Sequence, residues 1–369
     1  MKILYLSNIP SPYRVDYFNE LGKFCDLTVL FETDSSSERD REWKNYRFEN
    51  FRGIILKGKR MNADTAFCPG VGKYLRRGEY DFVVVTVLAS PTALLAVHTL
   101  RRRKIPYFYE GDGGFAGKTT GLKAGLKRYI ISGAYKCFST SAEFDRYCTA
   151  YGAKEENLLR YPFTSVKRQE LPASPPTAEE KGKRKREFGV AEACAVVSVG
   201  QFIHRKGFDL LLECCRELPE NAGVYIVGGK PTEEYLELRD RYGLKQVHFL
   251  DFMPKARLMK FFLAMDVFVL FTREDIWGLV INEALASGLP VISTDRCIAA
   301  LELIENGENG FLVESENISQ MKEALLRLVQ SEELRIRMSG KAIAGMGNYT
   351  VEAMAAAHMK VFEGEGEPS

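Results

Sequence analysis

The sequence predicts an α/β protein of two domains, each built on a parallel sheet, and three observations carry that prediction. The chain has 369 residues, which at roughly 100 to 200 residues per domain fits two cores better than one. A strand–loop–helix–strand unit opens the chain and returns about 190 residues later, from Ala195. Between and after these units, short apolar runs alternate with helix-spaced segments, the pattern of strands covered by helices on both faces. Together they give two Rossmann-like domains with parallel sheets facing across a cleft, with ligands expected beyond the carboxyl ends of the strands.

Taken in order, the first unit is a strand over Lys2–Leu6, a loop from Ser7 to Arg14, an amphipathic segment to Lys23 and a strand over Leu27–Phe31. Asp81 to Val87, Pro106 to Tyr109 and Ala134 to Phe138 read as further buried strands, which completes a first domain over 1–165. Residues 166–192 hold Pro172, Pro175, Pro176 and the basic run Lys181 to Arg186 without an apolar period, so they read as a linker region. That basic run is either a solvated face or a nucleic-acid tract. The second domain, 193–349, has strands at Ala195–Val199, Val224–Val227, His248–Leu250, Val267–Phe271, Val291–Ser293 and Gly310–Val313. Its first helix places Phe208, Leu211, Leu212 and Cys215 on one face. Val351, Met354, Ala355, Met359 and Phe362 have helical spacing and read as the core face of a last helix.

Composition excludes several classes. With 46% hydrophobic, 11% aromatic and 27% charged residues, the chain is neither disordered, collagenous nor a disulfide scaffold. The formal charge of +2 gives no overall field for nucleic acid, yet 1–165 carries +8, 166–192 carries +2 and 193–369 carries −8. The eight cysteines form no C-x-x-C pair and sit mostly among apolar neighbours, as reduced core residues do. Met1-Lys2 leads straight into a strand with no signal-peptide pattern, and no apolar run approaches the ~20 residues of a membrane span, so a cytoplasmic location is expected. No D-x-D triplet and no His/Cys/Asp spacing for a metal cage occurs, so no bound divalent ion is expected.

Two loops after strands carry the chemistry. Gly200 to Gly207 includes Arg205 and Lys206 just before a helix. Free backbone N–H groups, the positive end of the helix dipole and two cations favour an anion of diphosphate size there; the bland reading is solubility. The segment Thr272 to Pro290 runs strand, acidic loop, helix and a Gly288–Pro290 stop. Gly278 permits close backbone approach, and the N–H groups of Leu279 and Val280 open the helix. Glu283, one turn in on the face of Leu279, can accept from two vicinal ribose hydroxyls, and Asp275 can reach hydroxyls of a sugar beyond the phosphates. Alternatively, Glu274 and Asp275 only complement the helix dipole.

These residues resemble the retaining glycosyltransferases of family 4, which have the GT-B fold, over nearly the whole chain. Asp275 to Glu283 has the spacing of that family's donor signature, an acidic residue, seven others and a Glu, with Asp275 one methylene shorter than the usual Glu. Glu274 is placed to share that sugar contact. Lys206-Gly207 looks like the family's diphosphate-binding Lys-Gly, with Gln201 where an Arg often follows Gly200, so Arg205 is read as supplying that charge. The resemblance implies nucleobase contacts at Leu250 to Pro254, including Phe252, and at Gly228-Gly229-Lys230. It implies a hexosyltransferase using a nucleoside-diphosphate sugar, a UDP-sugar favoured, with no cofactor and no required metal. It also implies that the 350–369 helix packs back on the first domain.

Two N-terminal loops are expected to face the donor site. Asn8, Tyr13 and Arg14 are candidate ligands for phosphate or acceptor, although Pro10 and Pro12 alone could account for a stiff turn there. Tyr109 to Gly114 has three glycines in four positions after a strand, the mark of backbone strain or of close approach to a ligand. Relatives of the family often place a His in this loop. Here Glu110 and Asp112 stand instead, and they are read as acceptor-positioning groups at the reaction centre. The resemblance implies retention with the leaving diphosphate taking the acceptor proton. Residues 115–136 are basic and amphipathic, with Lys118, Lys123, Lys127, Arg128 and Lys136 among Leu122, Leu126, Tyr129, Ile130 and Ile131. They suit either an ordinary solvated helix or a peripheral contact with the anionic inner face of a membrane that would serve a lipid-linked acceptor. The function expected is thus glycosyl transfer to a glycan or lipid-linked hydroxyl in cell-surface polysaccharide biosynthesis. The rival readings are a nucleotide-sugar epimerase of the same fold and a non-catalytic nucleotide-sugar-binding protein. No nucleic-acid partner is expected.

Overall fold

Each apolar run becomes a strand because its residues, too short and too β-branched for a helix, are covered on both faces once helices fold over them. A computed structural model describes residues 1–35, 46–88, 90–117 and 119–365. The chain divides into one unit made of 1–165 and 350–369 and a second made of 166–349.

The first unit holds β1 (Lys2–Ser7), α1 (Pro12–Leu21), β2 (Asp26–Phe31), β3 (Arg52–Ile55), the short antiparallel pair β4 (Lys59–Arg60) and β5 (Ala66–Phe67), and β6 (Phe82–Val85). It continues with α2 (Pro91–Arg103), β7 (Phe108–Glu110), α3 (Leu122–Ile131), β8 (Lys136–Ser139), α4 (Ala142–Ala150) and β9 (Leu158–Arg160). Its seven-stranded sheet runs β3-β2-β1-β6-β7-β8-β9, parallel throughout. Ile3 to Leu6 at its centre are buried.

The second unit begins with α5 (Ala178–Phe188), then β10 (Cys194–Val199), α6 (Phe208–Cys215), β11 (Ala222–Val227), α7 (Glu233–Arg241), β12 (Val247–Leu250), α8 (Lys255–Phe262) and β13 (Val267–Leu270). α9 (Leu279–Ala286), β14 (Val291–Thr294), α10 (Ile298–Leu303), β15 (Gly310–Val313), α11 (Ile318–Gln330) and α12 (Glu332–Gly345) complete it. Its parallel sheet runs β12-β11-β10-β13-β14-β15, with Val196 beside Val267 and Val197 beside Phe268. Strand order reverses between β10 and β13, and in parallel sheets the carboxyl ends at such a switch point are where ligands bind.

The 166–192 stretch, expected as a linker, belongs to the second unit and carries a helix. α5 starts at a Thr177–Glu180 capping box and ends on Gly189 in the left-handed conformation. None of its side chains is buried, so apolar spacing gave no sign of it. Charge anchors it instead: Lys181 and Lys185 lie 3.0 and 2.7 Å from the two oxygens of Asp266.

The last helix, α13 (Val351–Glu365), belongs to the first unit although it follows all of the second. It packs beside α1, and Phe362 meets Phe82 and Phe138 with ring centroids 4.9 and 5.7 Å apart. All eight cysteines are free, and all but Cys25 are buried.

Candidate active site

In the second unit the loops after β10 and β13 bring together most of the donor residues read from the sequence. The loop from Gly200 ends in a turn whose Gly207 has φ 67° and lies so close to Phe271 that a Cβ would fall 1.9 Å from its carbonyl oxygen. Only glycine permits that approach, and it presses the 204–207 turn onto the 271–275 loop. Arg273 locks the two together. Its guanidinium grips Asp209 in a fork at 2.8 and 2.6 Å, and it also donates to the His204 carbonyl at 2.7 Å and to Glu316. Burial pushes the Asp209 carboxyl up, but hydrogen bonding from Arg273 outweighs it and holds it below the usual range.

On this platform Lys206 Nζ reaches Asp275 Oδ2 at 2.5 Å. Arg205 donates to the Glu274 carbonyl at 2.5 Å and lies 3.8 Å from Asp275 Oδ1. Gly200 eases this: a Cβ there would lie in tight contact, 3.3 Å, with the Lys206 methylenes. Asp275 is itself fixed by the backbone, donating to the Arg296 carbonyl at 2.7 Å and accepting from Ile298 at 3.2 Å. Next to it Gly278, φ 96°, opens α9; a Cβ there would lie 2.7 Å from Cys297 Sγ and 3.6 Å from Asp275 Oδ2. The unpaired N–H groups of the first turn, at Leu279 and Val280, therefore start beside the Asp275 carboxylate. Glu283 lies largely buried one turn further on, and Trp277 Nε1 donates to Asn282 at 2.8 Å. Glu274 and Phe252 stand exposed at the rim. Gly228 touches the Gly200 carbonyl so closely that a Cβ would fall 1.8 Å from its oxygen, which brings the 228–230 loop against the anion loop.

Asp275 is expected to face a sugar and Lys206 a diphosphate; the structure adds that the two pair with each other. Charge then balances locally, and an arriving anion has to compete with Asp275 for the ammonium.

The first unit forms its own cluster at the carboxyl ends of β1 and β7. Arg14 of α1 is buried and pairs through one nitrogen with Glu110 and through the other with Asp112. Tyr13 donates to Asp112 Oδ2 at 2.7 Å, and Tyr161 to Glu110 Oε1 at 3.4 Å. Burial pushes the Glu110 carboxyl up, but Arg14 and then His358 outweigh it and hold it at about 2. Glu110 was expected among the acceptor-positioning groups. It is wholly enclosed, and what it holds is Arg14, so Asp112, still 27% exposed, is the carboxylate of this loop that reaches the surface. Asn8 makes no contact with this cluster; its carbonyl accepts from Thr33 at 3.1 Å.

Sequence reasoning missed Tyr161, His358 and Arg273 in these networks. His358 sits on the apolar face of α13, where a lone histidine among Met354, Met359 and Phe362 was the available signal. In the 115–136 segment, Leu122 is 82% and Leu126 37% exposed, one turn apart on α3. Lys123 and Arg128 are exposed on the same helix. Lys127 turns inward over the rings of Tyr147 and Tyr151, and Lys136 pairs with Glu365. Lys118 lies outside the described residues. Among the described residues no group of three His, Cys, Asp or Glu side chains could hold a metal ion, and no helix is long and apolar enough to cross a membrane.

Residues 182–344, which contain both donor loops, match the family of glycosyl transferases group 1. Among curated relatives, the lipopolysaccharide core biosynthesis glycosyltransferase LpsE of Rhizobium meliloti is 31% identical over 176 residues, 46% of this chain and 50% of LpsE. The N,N'-diacetylbacillosaminyl-diphospho-undecaprenol alpha-1,3-N-acetylgalactosaminyltransferase of Campylobacter jejuni is 22% identical over 307 residues, 79% of each chain. The chain spans about half the length of most of the curated relatives it matches. In fold it is similar to Anabaena Alr3699/HepE, solved in complex with UDP, with a TM-score of 0.79 at 18% identity over 99% of this chain and 100% of that one. The fold is GT-B, two α/β domains each on a parallel sheet.

Proposed function

We propose that the protein is a retaining glycosyltransferase that moves a hexosyl group from a nucleoside-diphosphate sugar, a UDP-sugar by preference, to an acceptor hydroxyl in cell-surface glycan biosynthesis. The observation that carries this is the cluster of Lys206, Arg205 and Asp275 at the N-terminus of α9. It offers two cations and free backbone donors to a diphosphate at the switch point of a parallel sheet. The family match over the same residues supports it, as do the UDP bound to the Anabaena protein and the names of the Rhizobium and Campylobacter relatives.

In this reading the bond from the anomeric carbon to the diphosphate oxygen breaks and a bond to the acceptor oxygen forms on the same face. The acceptor proton passes to the departing diphosphate. Lys206, Arg205 and the first turn of α9 stabilise the charge that grows on it, so no metal is required. Glu283 holds the ribose, Phe252 lies against the base, and Glu274 and Asp275 meet the sugar. In the first unit, Asp112 with Tyr13 and Arg14 positions the acceptor.

A lipid-linked acceptor is favoured by one further observation, the exposed Leu122 and Leu126 on α3, a helix that also exposes Lys123 and Arg128. An interfacial helix buries just such a pair while its cations meet anionic headgroups. In this reading the protein works at the inner face of the membrane.

A thermal-shift screen against UDP, GDP, ADP, CMP and their sugar conjugates, without added metal, tests the donor site. UDP or a UDP-sugar is expected to raise the midpoint by linkage. No shift with any of them, with or without Mg²⁺, overturns the reading. Turnover of the donor sugar without an acceptor would mark an epimerase, and binding without transfer to any acceptor would mark a binding protein.

A further inference from the structure

His358 is the one fully buried histidine, and it takes no part in the chemistry described above. Its Nδ1 lies 2.8 Å from the carbonyl oxygen of Met354, one turn back on α13. A carbonyl only accepts, so Nδ1 carries a proton. Its Nε2 faces Glu110 Oε2 at 3.4 Å, and neither of these two buried atoms has another hydrogen-bond partner. If Nε2 were bare, a lone pair would point at a carboxylate inside the protein, with no water to separate them.

The rest of the surroundings leave no alternative donor for that carboxylate oxygen. The Tyr17 ring of α1, the Phe138 ring of β8 and the Tyr161 ring that follows β9 pack around the imidazole with centroids 5.1, 4.3 and 4.5 Å away. The Tyr17 hydroxyl pairs with Tyr5 at 2.9 Å, and the Tyr161 hydroxyl points to Glu110 Oε1 and the Gly111 carbonyl. Burial pushes both phenols up, so they stay neutral. Charge counting agrees: Arg14 faces two carboxylates, Glu110 and Asp112, and one more positive charge balances the group.

We propose that His358 is a buried imidazolium that acts as a positioning residue: it shares Glu110 with Arg14, which leaves the Arg14 guanidinium divided between Glu110 and Asp112 and so fixes the Asp112 carboxylate at the surface. The last helix of the chain thereby sets the geometry of a loop on β7. The consequence for acceptor positioning rests on the function proposed above, whereas the ion triad itself does not.

The test is read on the full chain without substrate. Long-range proton–nitrogen NMR at neutral pH reports the protonation of each ring nitrogen, and with four histidines in the sequence the His358 signals are assigned by their loss in H358N. Both His358 nitrogens are expected to be protonated; one bare nitrogen, the signature of a neutral ring or of a proton held by Glu110, overturns the proposal. The second readout is the Arg14 guanidinium. Its Nη protons are expected to be protected from exchange in the wild type and in H358Q, whose amide N–H reaches Glu110. In H358N, which retains only the Met354 contact, protection is expected to be lost. Equal Arg14 signals in wild type and H358N refute the positioning role. If H358N fails to fold, the wild-type ring spectrum still decides, with H358Q supplying the assignment. Failure of the donor screen would leave these spectra unaffected, so the two ideas fail separately.

Discussion

Lys206 Nζ and Asp275 Oδ2 lie 2.5 Å apart, joining residues 69 positions distant in the sequence across the loops that leave β10 and β13. The pair holds the ammonium at the start of α9. Lys206→Ala is expected to lower turnover by about 10²-fold or more, the scale on which one preorganised charge stabiliser acts. It should leave the protein folded, because Arg205 stays beside Asp275. Asp275→Ala should cut transfer more than donor binding. Steady-state kinetics with melting curves check both, and unchanged turnover in Lys206→Ala would remove it from the site.

Glu283 is expected to act on affinity instead. A carboxylate that accepts from ribose hydroxyls contributes about 1.5–3 kcal/mol as a charged hydrogen-bond partner. Calorimetric titration of Glu283→Ala with UDP should therefore show binding weakened roughly 10- to 100-fold. Loss of folding on that substitution would instead mark Glu283 as a structural residue.

Glu32, just past β2, is buried and accepts from Ser90 Oγ and from the Ala66 N–H at 3.0 Å, with no cation beside it among the described residues. Burial pushes its carboxyl up to about 7. A raised acid binds its proton more tightly folded than unfolded, so its contribution is full below pH 4.5 and is lost as pH rises through 7. The shift corresponds to about 3 kcal/mol. Glu32→Gln, which has the hydrogen-bond pattern of the protonated acid, should match wild type near pH 4 and exceed it in melting temperature above pH 7. A constant difference across that window would refute the assignment.

Glu110 has the opposite sign. Held at about 2 by Arg14 and His358 against burial, it contributes stability above pH 4.5 that disappears as pH falls through 2. Glu110→Gln leaves Arg14 short of a partner and should cost about 3–5 kcal/mol at neutral pH. Denaturant titrations should show that gap narrowing on acidification. A gap independent of pH would mean that packing, not charge, is what Glu110 supplies.

Leu122 and Leu126 offer a separate check. Leu122→Asp with Leu126→Asp should leave the melting temperature unchanged, since both side chains are exposed, and should abolish flotation with vesicles containing anionic phosphatidylglycerol. Retention of both mutant and wild type by neutral vesicles alone would point to non-specific adsorption.

Much of this was legible in the sequence where burial writes a continuous signal. The strands at Lys2, Phe82, Phe108, Cys194, Val267 and Val291 are apolar because both faces are covered. β3, with Gly53 and half-exposed isoleucines, and the three-residue β9 lie at sheet edges, where that signal fades. α5 hid for another reason: its information is in Thr177, Glu180 and Gly189 at its ends, whereas no buried face marks its middle. For the candidate site, motif spacing singled out Lys206, Asp275 and Glu283 because they follow strands. It gave no access to the pairing of Lys206 with Asp275 or of Glu110 with His358, since long-range ion pairs leave no local pattern.

The return of α13 to the first unit also has a temporal side. A ribosome makes the chain from residue 1 onward, and domains tend to fold as they emerge. The core of the first unit lacks Phe362, His358 and Met354 until every residue of the second unit has been synthesised. The second unit, continuous in sequence, can close while its elder neighbour still waits with Tyr17, Phe138 and Glu110 uncovered. The half made first is thus the half finished last.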